Sequence, residues 1–521
     1  MRVCGTRVSE RVSSVDDMIN SIRGGAVCSL ALLILQPIGA AFGQSTTAAK
    51  SRVIVGATIV DGSGRKAFAG NVRIIGDRIA KVGKFVTAAD EEIIQAPGLI
   101  VAPGFIDIHN HSDGALASEP TVASQVSQGI TTLVVGPDGG SPWPIADYFA
   151  KRRAQPAAVN VLAFVGHATL RLQVMGRDNN RAATDKEIAE MGKLVDQAMR
   201  EGAAGLSTGL EYDVGHPSTT EEIIELARVA ARHGGIYMSH IRDEADEVMT
   251  AFKEAIRIGR EARIPVQISH IKLGTVGVWG QADKAVELIN AARHSGVDVT
   301  ADCYPYDAWS STITVLIPSR RHEDPVAVKK GLEDVGGAGN VLVTSCRAHR
   351  EYEGKTLEEI AREQRISAVD AYIQIVKDGG AGVVCRSMKE SDIKVFYSQP
   401  WVMVASDGQA GGRHPRGAGT FTRVLGRFVR ERVWLTLEEA VRKMTAGPAS
   451  RLGLKDRGVI REGMKADLVI FDPRRVIDRS TFKEPLLLSE GIDRVFVNGE
   501  PVFEDGKPTG RLPGVVISKG H

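Results

Sequence analysis

The sequence predicts an eight-stranded α/β barrel carrying a small β domain built from both ends of the chain. Three observations lead there. The middle of the chain alternates short apolar runs with helical periodicity. Both ends alternate strands with turn residues. Polar residues gather where the apolar runs of the middle stop. A chain of 521 residues has room for such a barrel and a second domain.

The first segment lies apart from that scheme. The run "AVCSLALLILQPIGAAFGQ" follows Arg23 and ends in the small residues Ala40, Ala41 and Gly43. It is short for a bilayer span and reads as a secretory signal cleaved near Gly43–Gln44. Residues 1–43 are then expected to leave a mature protein exported across the inner membrane to the periplasm, with no lasting membrane association. A retained anchor is the alternative. The acids Glu10, Asp16 and Asp17 do not suit a signal, and initiation at Met18 instead of Met1 removes them.

Residues 51–103 read as strands and turns, with Asp61-Gly62 and Gly76-Asp77 marking hairpins. Residues 456–521 have the same texture, so both ends are expected to form one β-sandwich. Between them, 104–455 holds eight apolar runs: 105–109, 131–136, 159–167, 203–209, 234–240, 264–270, 297–304 and 401–407. Helical patterns separate most of them. Capping boxes pair Thr184 with Glu187, Ser218 with Glu221 and Thr436 with Glu439, and Gly234 closes a helix. Eight such units make a (β/α)₈ barrel; a doubly wound open sheet is the other way to use them. About a hundred residues separate the last two runs, so 307–400 reads as an insertion carrying substrate contacts or a lid.

Formal charge is balanced at +2, and no Walker loop, dinucleotide fingerprint or C-x-x-C pair is present. Nothing here argues for nucleic acid or an anionic membrane surface. Of five cysteines, Cys4 and Cys28 would leave with the signal, and three imply no disulfide framework.

In a barrel the chemistry sits at the C-terminal ends of the strands. Strand 1 ends His109-Asn110-His111, whose two histidines share one face of an extended chain. Strand 2 runs into Pro137-Asp138, strand 3 ends at His167, and strand 4 runs on into Glu211 and Tyr212. Strands 5, 6 and 8 end at His240, His270 and Asp407. One histidine at a strand end is commonly a hydrogen-bonded structural residue. Several strands ending together in imidazole and carboxylate suit Zn²⁺, as one ion or as two divalent ions bridged by a carboxylate.

Taken in order, "PGFIDIHNH", "VGHATLR", "GLSTGLEY", "SHIRDE", "ISHIK", "DCYPY", "HPRGAGTFTRVLG", "MTAGPASRLGL" and "ADLVIFDP" resemble the amidohydrolase superfamily. Within it they resemble the N-acyl-D-amino-acid deacylases (D-aminoacylases), over about residues 52–475. The resemblance implies a barrel of the metal-dependent amidohydrolase type with a flanking β-sandwich. It also implies hydrolysis of N-acyl amino acids, N-acyl-D-amino acids in particular, to a carboxylic acid and a free amino acid. It assigns His109, His111 and Asp407 to one metal position, and His240 and His270 to the other. The family's bridging cysteine falls on Asp138, and "GLSTGLEY" lacks a lysine that could be carboxylated. Glu211 is the preferred bridge and Asp138 the alternative. Asp407 is expected to take the water proton and pass it to the leaving nitrogen. Lys272, Tyr304 and Arg416 are expected to hold the α-carboxylate, and Tyr212 and His167 to polarise the carbonyl or position the acyl group. Trp279, Trp309 and the insertion are candidates for the acyl pocket. A dipeptidase, carboxypeptidase-like or cyclic-amide hydrolase, or a non-enzymatic barrel, are the rival readings.

Overall fold

The computed structural model describes residues 51–519; the apolar N-terminal run and the cleavage site expected after it lie outside them. Among the described residues no helix is long and apolar enough to cross a membrane.

The two ends of the chain do meet in one sheet. Ser51–Ile59, Phe68–Ile75, Arg78–Gly83, Glu92–Gln95 and Ile100–Pro103 come from the N-terminal side. Leu468–Phe471, Ile492–Val497, Glu500–Glu504 and Lys507–Pro508 come from the other. The halves join where Ile100–Pro103 pairs antiparallel with Leu468–Phe471. Alternation along this last strand explains the join. Leu468 and Ile470 enter the sandwich core with Ile54, Val72 and Ile74. Val469 and Phe471 face the other way and pack into the barrel core. Gly76, at φ +57°, makes the two-residue Gly76-Asp77 hairpin turn between Ile75 and Arg78.

The barrel strands are Phe105–Asp107, Ile130–Val135, Asn160–Ala163, Gly205–Gly209, Ile236–His240, Val266–Ile268, Val299–Cys303 and Val402–Val404, numbered 1 to 8 below. Every neighbouring pair recorded among them is parallel. Strand 3 continues at Val165–Gly166, which pairs with strand 4. Strands 1 and 8 close the ring: the His111 amide donates to the Gly408 carbonyl at 2.8 Å, and the Asp407 amide to the His109 carbonyl at 3.0 Å. The buried Asp107 carboxylate locks the same seam by accepting from the Ser406 amide at 2.9 Å. The sheet is therefore closed, not doubly wound.

Between strands 7 and 8 the chain builds a separate antiparallel sheet, with Gly382–Cys385 lying between Trp309–Thr312 and Val341–Ser345. Three helices, Pro325–Asp334, Leu357–Gln364 and Ala368–Lys377, accompany it. Helix Glu390–Tyr397, within the 307–400 stretch, instead packs on helix Ala282–His294 and on strands 7 and 8, so the barrel's own connection resumes there.

Two caps differ from the sequence reading: Thr436 accepts from the Glu439 amide, but the Glu439 carboxylate goes to Arg442 and does not close the box. Thr184 and Glu187 form a reciprocal box, but helix Thr220–Arg232 is capped by Thr219, not Ser218. Ser218 Oγ donates to the Gly215 carbonyl instead. The one-residue shift has a cause in the core. It turns Glu222 inward, where its carboxylate accepts from Arg171 at 2.6 and 2.8 Å and meets His167 Nε2 at 2.8 Å. All three residues are fully buried. Removing the shared carboxylate strands a guanidinium in the interior, which costs about 3–5 kcal/mol. Glu222→Ala is therefore expected to lower the denaturation midpoint markedly in urea titrations followed by circular dichroism. An unchanged midpoint would mean that this cluster contributes nothing to stability.

Candidate metal centre

Four strand ends deliver their side chains to one point. Asp138 Oδ2 lies 3.1 Å from His109 Nε2, 3.4 Å from His111 Nε2 and 3.5 Å from His270 Nε2. Asp407 Oδ1 lies 3.3 Å from His109 Nε2 and 3.1 Å from His111 Nε2. Ligand atoms of His109, Asp138, His270 and Asp407 all fall within 4.8 Å of one another, as do those of His240, Glu244 and His270. His270 belongs to both groups, and its Nε2 faces His240 Nδ1 at 3.0 Å. Donors about 2.0–2.2 Å from a tetrahedral zinc stand roughly 3.3–3.6 Å apart, so these spacings and this imidazole–carboxylate set fit Zn²⁺. Asp138 Oδ1 is buried without a partner, leaving a second oxygen of the same carboxylate for another cation.

Charge points the same way. Burial alone raises the Asp138 carboxyl, but His109 and His270 outweigh it and hold it well below the usual range. Burial likewise opposes ionisation of Asp407, and Arg416, His270 and His109 reverse it. Burial and Lys272 disfavour a proton on His270, yet Glu244, Asp407 and Asp138 lift it to about 9. Two buried carboxylates thus demand positive charge at their midpoint, as ring protons or as a divalent cation.

Backbone geometry is specialised at these residues. Asp138, His270 and Asp407 have φ of +55°, +33° and +49°, a region that non-glycine residues seldom occupy. Gly209 lets strand 4 approach the Asp138 loop. A Cβ there would stand 2.3 Å from the Asp138 carbonyl oxygen and 2.5 Å from the Tyr212 ring.

Glu211, expected as the bridge, stands elsewhere. Its Oε2 is 2.7 Å from His240 Nε2, the ring nitrogen opposite the one that faces His270. That contact orients the His240 ring, whose Nδ1 faces His270 Nε2 and the Tyr212 hydroxyl. Of the two carboxylates, Asp138 is the one that lies within 3.5 Å of both His109 and His270. Two more carboxylates, which sequence reasoning missed, stand beside the other rings. Glu244 Oε1 lies 3.1 Å from His270 Nδ1, and Asp302 Oδ1 lies 3.4 Å from His109 Nδ1. Each backs a histidine whose other nitrogen points inward. The available signals were Glu244, four residues after His240 in "SHIRDE", and Asp302, opening "DCYPY" at the end of strand 7.

The other expected residues divide. Lys272 lies beside the centre, ion-paired to Glu244 and 2.8 Å from His270 Nδ1. Arg416 Nη1 lies 2.6 Å from Asp407 Oδ2. Tyr212 Oη lies 3.1 Å from His240 Nδ1, and its ring lies tilted against the His240 ring at 4.4 Å. Tyr304 does not present its hydroxyl as expected, since that group points to Met388 Sδ at 3.7 Å. Its ring lies under the Arg416 guanidinium at 4.8 Å and Lys272 at 5.9 Å, keeping the two cations apart. His167 is not part of the centre. It opens helix His167–Met175 and is spent on Glu222 in the core.

A closed barrel with this imidazole–carboxylate cluster at its C-terminal face defines a metal-dependent barrel hydrolase. Residues 92–503 match the amidohydrolase family, and the chain belongs to that family. It is 38% identical to a D-aminoacylase of Alcaligenes xylosoxydans xylosoxydans, over 91% of this chain and 99% of that one. An N-acyl-D-aspartate deacylase and an N-acyl-D-glutamate deacylase of the same organism are also 38% identical, each over 90% of this chain and 95% and 96% of theirs. A solved N-acyl-D-glutamate deacylase from Bordetella bronchiseptica, complexed with zinc and a phosphonate inhibitor, superposes with a TM-score of 0.83 at 37% identity. That match covers 90% of this chain and 100% of the other. D-hydantoinase structures at 16–18% identity share the fold.

The two carboxylates can be told apart by metal analysis of purified protein. Asp138→Asn is expected to purify with clearly less zinc than the parent. Glu211→Gln should bind zinc about 10–100-fold more weakly yet fill its site at saturation. A Glu211→Gln protein that lost one equivalent at saturation, with Asp138→Asn unaffected, would restore Glu211 as the bridge.

Proposed function

We propose that this chain is a zinc-dependent N-acyl-D-amino-acid deacylase. It hydrolyses the amide of an N-acyl-D-amino acid to a carboxylate and a free D-amino acid. The observation that carries the reading is the cluster of His109, Asp138, His270 and Asp407, flanked by Lys272 and Arg416. The names of the three relatives support the D configuration and the linear amide. We also propose that 1–43 is a signal that delivers the protein to the periplasm, on the strength of its apolar run and small-residue end.

His109, His111 and Asp407 fit one metal position, and His240 and His270 the other, with Asp138 between them. A bound divalent cation supplies Lewis acidity toward the scissile carbonyl and makes the attacking water more acidic. The protein supplies the proton path and the orientation. Asp407 is buried and kept ionised by its neighbours, so it can accept the water proton and return it to the amide nitrogen as the C–N bond breaks. Arg416 and Lys272 offer a fork and a point charge to the substrate α-carboxylate. Tyr212, beside His240 on the wall of the cleft, is placed to donate to the carbonyl oxygen as charge develops there.

Asp407→Asn keeps a similar shape and loses the base. It is expected to lower kcat by on the order of 10²–10⁴-fold at saturating zinc, measured by amine release. Near-parental turnover would remove Asp407 from the proton path. Chelation should abolish activity and zinc should restore it. N-acetyl-D-amino acids should be cleaved and their L forms spared. Faster cleavage of L forms, dipeptides or hydantoins would replace the proposal with another reaction of this family.

A further inference from the structure

The guanidinium offered to the substrate carboxylate stands on a turn pinned from several sides. Arg416 is the first residue of helix Arg416–Arg423, so its backbone N–H finds no acceptor within the helix. A short polar residue such as serine or aspartate commonly fills that need. Here His414 does, its Nδ1 accepting from the Arg416 N–H at 3.0 Å. The other ring nitrogen is also engaged, Nε2 donating to the Ala308 carbonyl at 3.0 Å. Ala308 immediately precedes strand Trp309–Thr312. One buried imidazole thus ties the turn that carries Arg416 to a segment 106 residues away in the chain.

These two partners admit a single form of the ring. A backbone N–H requires a bare Nδ1 and a carbonyl requires a proton on Nε2, so His414 is neutral with its proton on Nε2. Burial, and after it the Arg416 guanidinium, hold a second proton off the ring. The rings of Tyr304, Tyr306 and Phe482 surround the imidazole at centroid distances of 6.3, 5.4 and 5.2 Å and leave it little room to turn. The rest of the turn is held from other elements. The Pro415 carbonyl accepts from Ser480 Oγ at 3.0 Å, and the Gly417 carbonyl from the Gln125 and Gln128 amides at 2.8 and 3.0 Å. The helix also approaches closely: a Cβ on Gly419 would stand 2.6 Å from both Ser480 Oγ and Tyr306 Oη. Within this frame His414 is what bonds the Arg416 N–H.

We propose that His414 is a positioning residue for recognition of the substrate α-carboxylate: by bridging the Arg416 amide and the Ala308 carbonyl, it sets where the guanidinium fork stands. The proposal rests on the deacylase reading, in which Arg416 meets that carboxylate. A guanidinium fork binds a carboxylate through parallel hydrogen bonds, so recognition is sensitive to small displacements. Removing the ring nitrogens leaves a buried N–H and a buried carbonyl without partners, and the turn gains by moving until both are satisfied.

The test compares kcat/KM of the zinc-loaded protein for N-acetyl-D-leucine with that for N-acetyl-D-leucinamide. The amide keeps the same scissile bond and the same use of Asp407 but offers Arg416 no carboxylate, so effects common to both substrates cancel in the ratio. His414→Phe keeps an aromatic ring among its neighbours and removes both hydrogen bonds. It is expected to lower the acid-to-amide ratio at least about tenfold, through a raised KM for the acid. His414→Gln, whose amide can accept from one partner and donate to the other, should hold the ratio within about threefold of the parent. If His414→Phe does not fold, His414→Asn should lower the ratio in the same direction, since it keeps an acceptor for the Arg416 N–H but is too short for Ala308. The proposal is overturned by an unchanged ratio in a folded His414→Phe or His414→Asn protein, by equal losses on acid and amide, or by a His414→Gln protein as impaired as His414→Phe. Arg416→Ala separates this proposal from the reading beneath it. A ratio that does not fall in that variant removes Arg416 from carboxylate recognition and His414 with it. A parent that leaves N-acetyl-D-leucine uncleaved while hydrolysing another amide would sink the deacylase reading itself.

Discussion

Barrel strands 1 and 8 meet through two backbone hydrogen bonds, His111 to Gly408 and Asp407 to His109, with the Asp107 carboxylate bound to the Ser406 amide below them. This seam closes the sheet and sets the centre in the same step. It holds His109, His111 and Asp407 by their backbones at adjacent positions on neighbouring strands. The side chains then have little freedom left to lose when a cation binds, which is what preorganisation of such a site requires. His270, from across the barrel mouth, and Asp138, from beyond the neighbouring strand 2, arrive in left-handed conformations that place their side chains toward the same point. Those strained conformations persist because closure of the barrel fixes everything around them.

The centre is ordered from outside as much as from within. Asp302, Glu211 and Glu244 each stand at the far nitrogen of one histidine, so that His109, His240 and His270 present their other nitrogen inward. Glu244 also holds Lys272, and Asp407 holds Arg416, so the cations that flank the site are placed by the same carboxylates that define it. Tyr304 separates the two cations with its ring. Loss of any of these outer groups would be felt at the metal without removing a ligand.

All eight barrel strands could be found from the sequence, because buried parallel strands are short apolar runs and their ends carry a different chemistry. Where the structure places residues differently from the reading, the cause is orientation, which composition does not encode. Glu211 and Asp138 are both carboxylates just beyond a strand end. Only the turn at Asp138, with φ +55° and Gly139 following, sends its side chain to the centre, whereas Glu211 is carried past it to His240. His167 ends an apolar run as His240 does, but the chain turns into a helix at that residue and carries the ring into the core. Ser218 and Thr219 are equivalent as caps until Glu222 must reach Arg171. Glu244 and Asp302 escaped notice because an outer carboxylate has no spacing rule of its own.

The central claim is that the Asp138 carboxylate lies between two cation positions, one formed by His109, His111 and Asp407 and the other by His240 and His270. The most direct measurement is a crystal structure of the zinc-loaded protein with anomalous difference maps collected at the zinc edge. The account predicts zinc peaks within ligating distance of Asp138 and of histidines from both sets, with Glu211 bonded to His240 and to no ion. Zinc coordinated by Glu211, with Asp138 turned away from the metal, would contradict it.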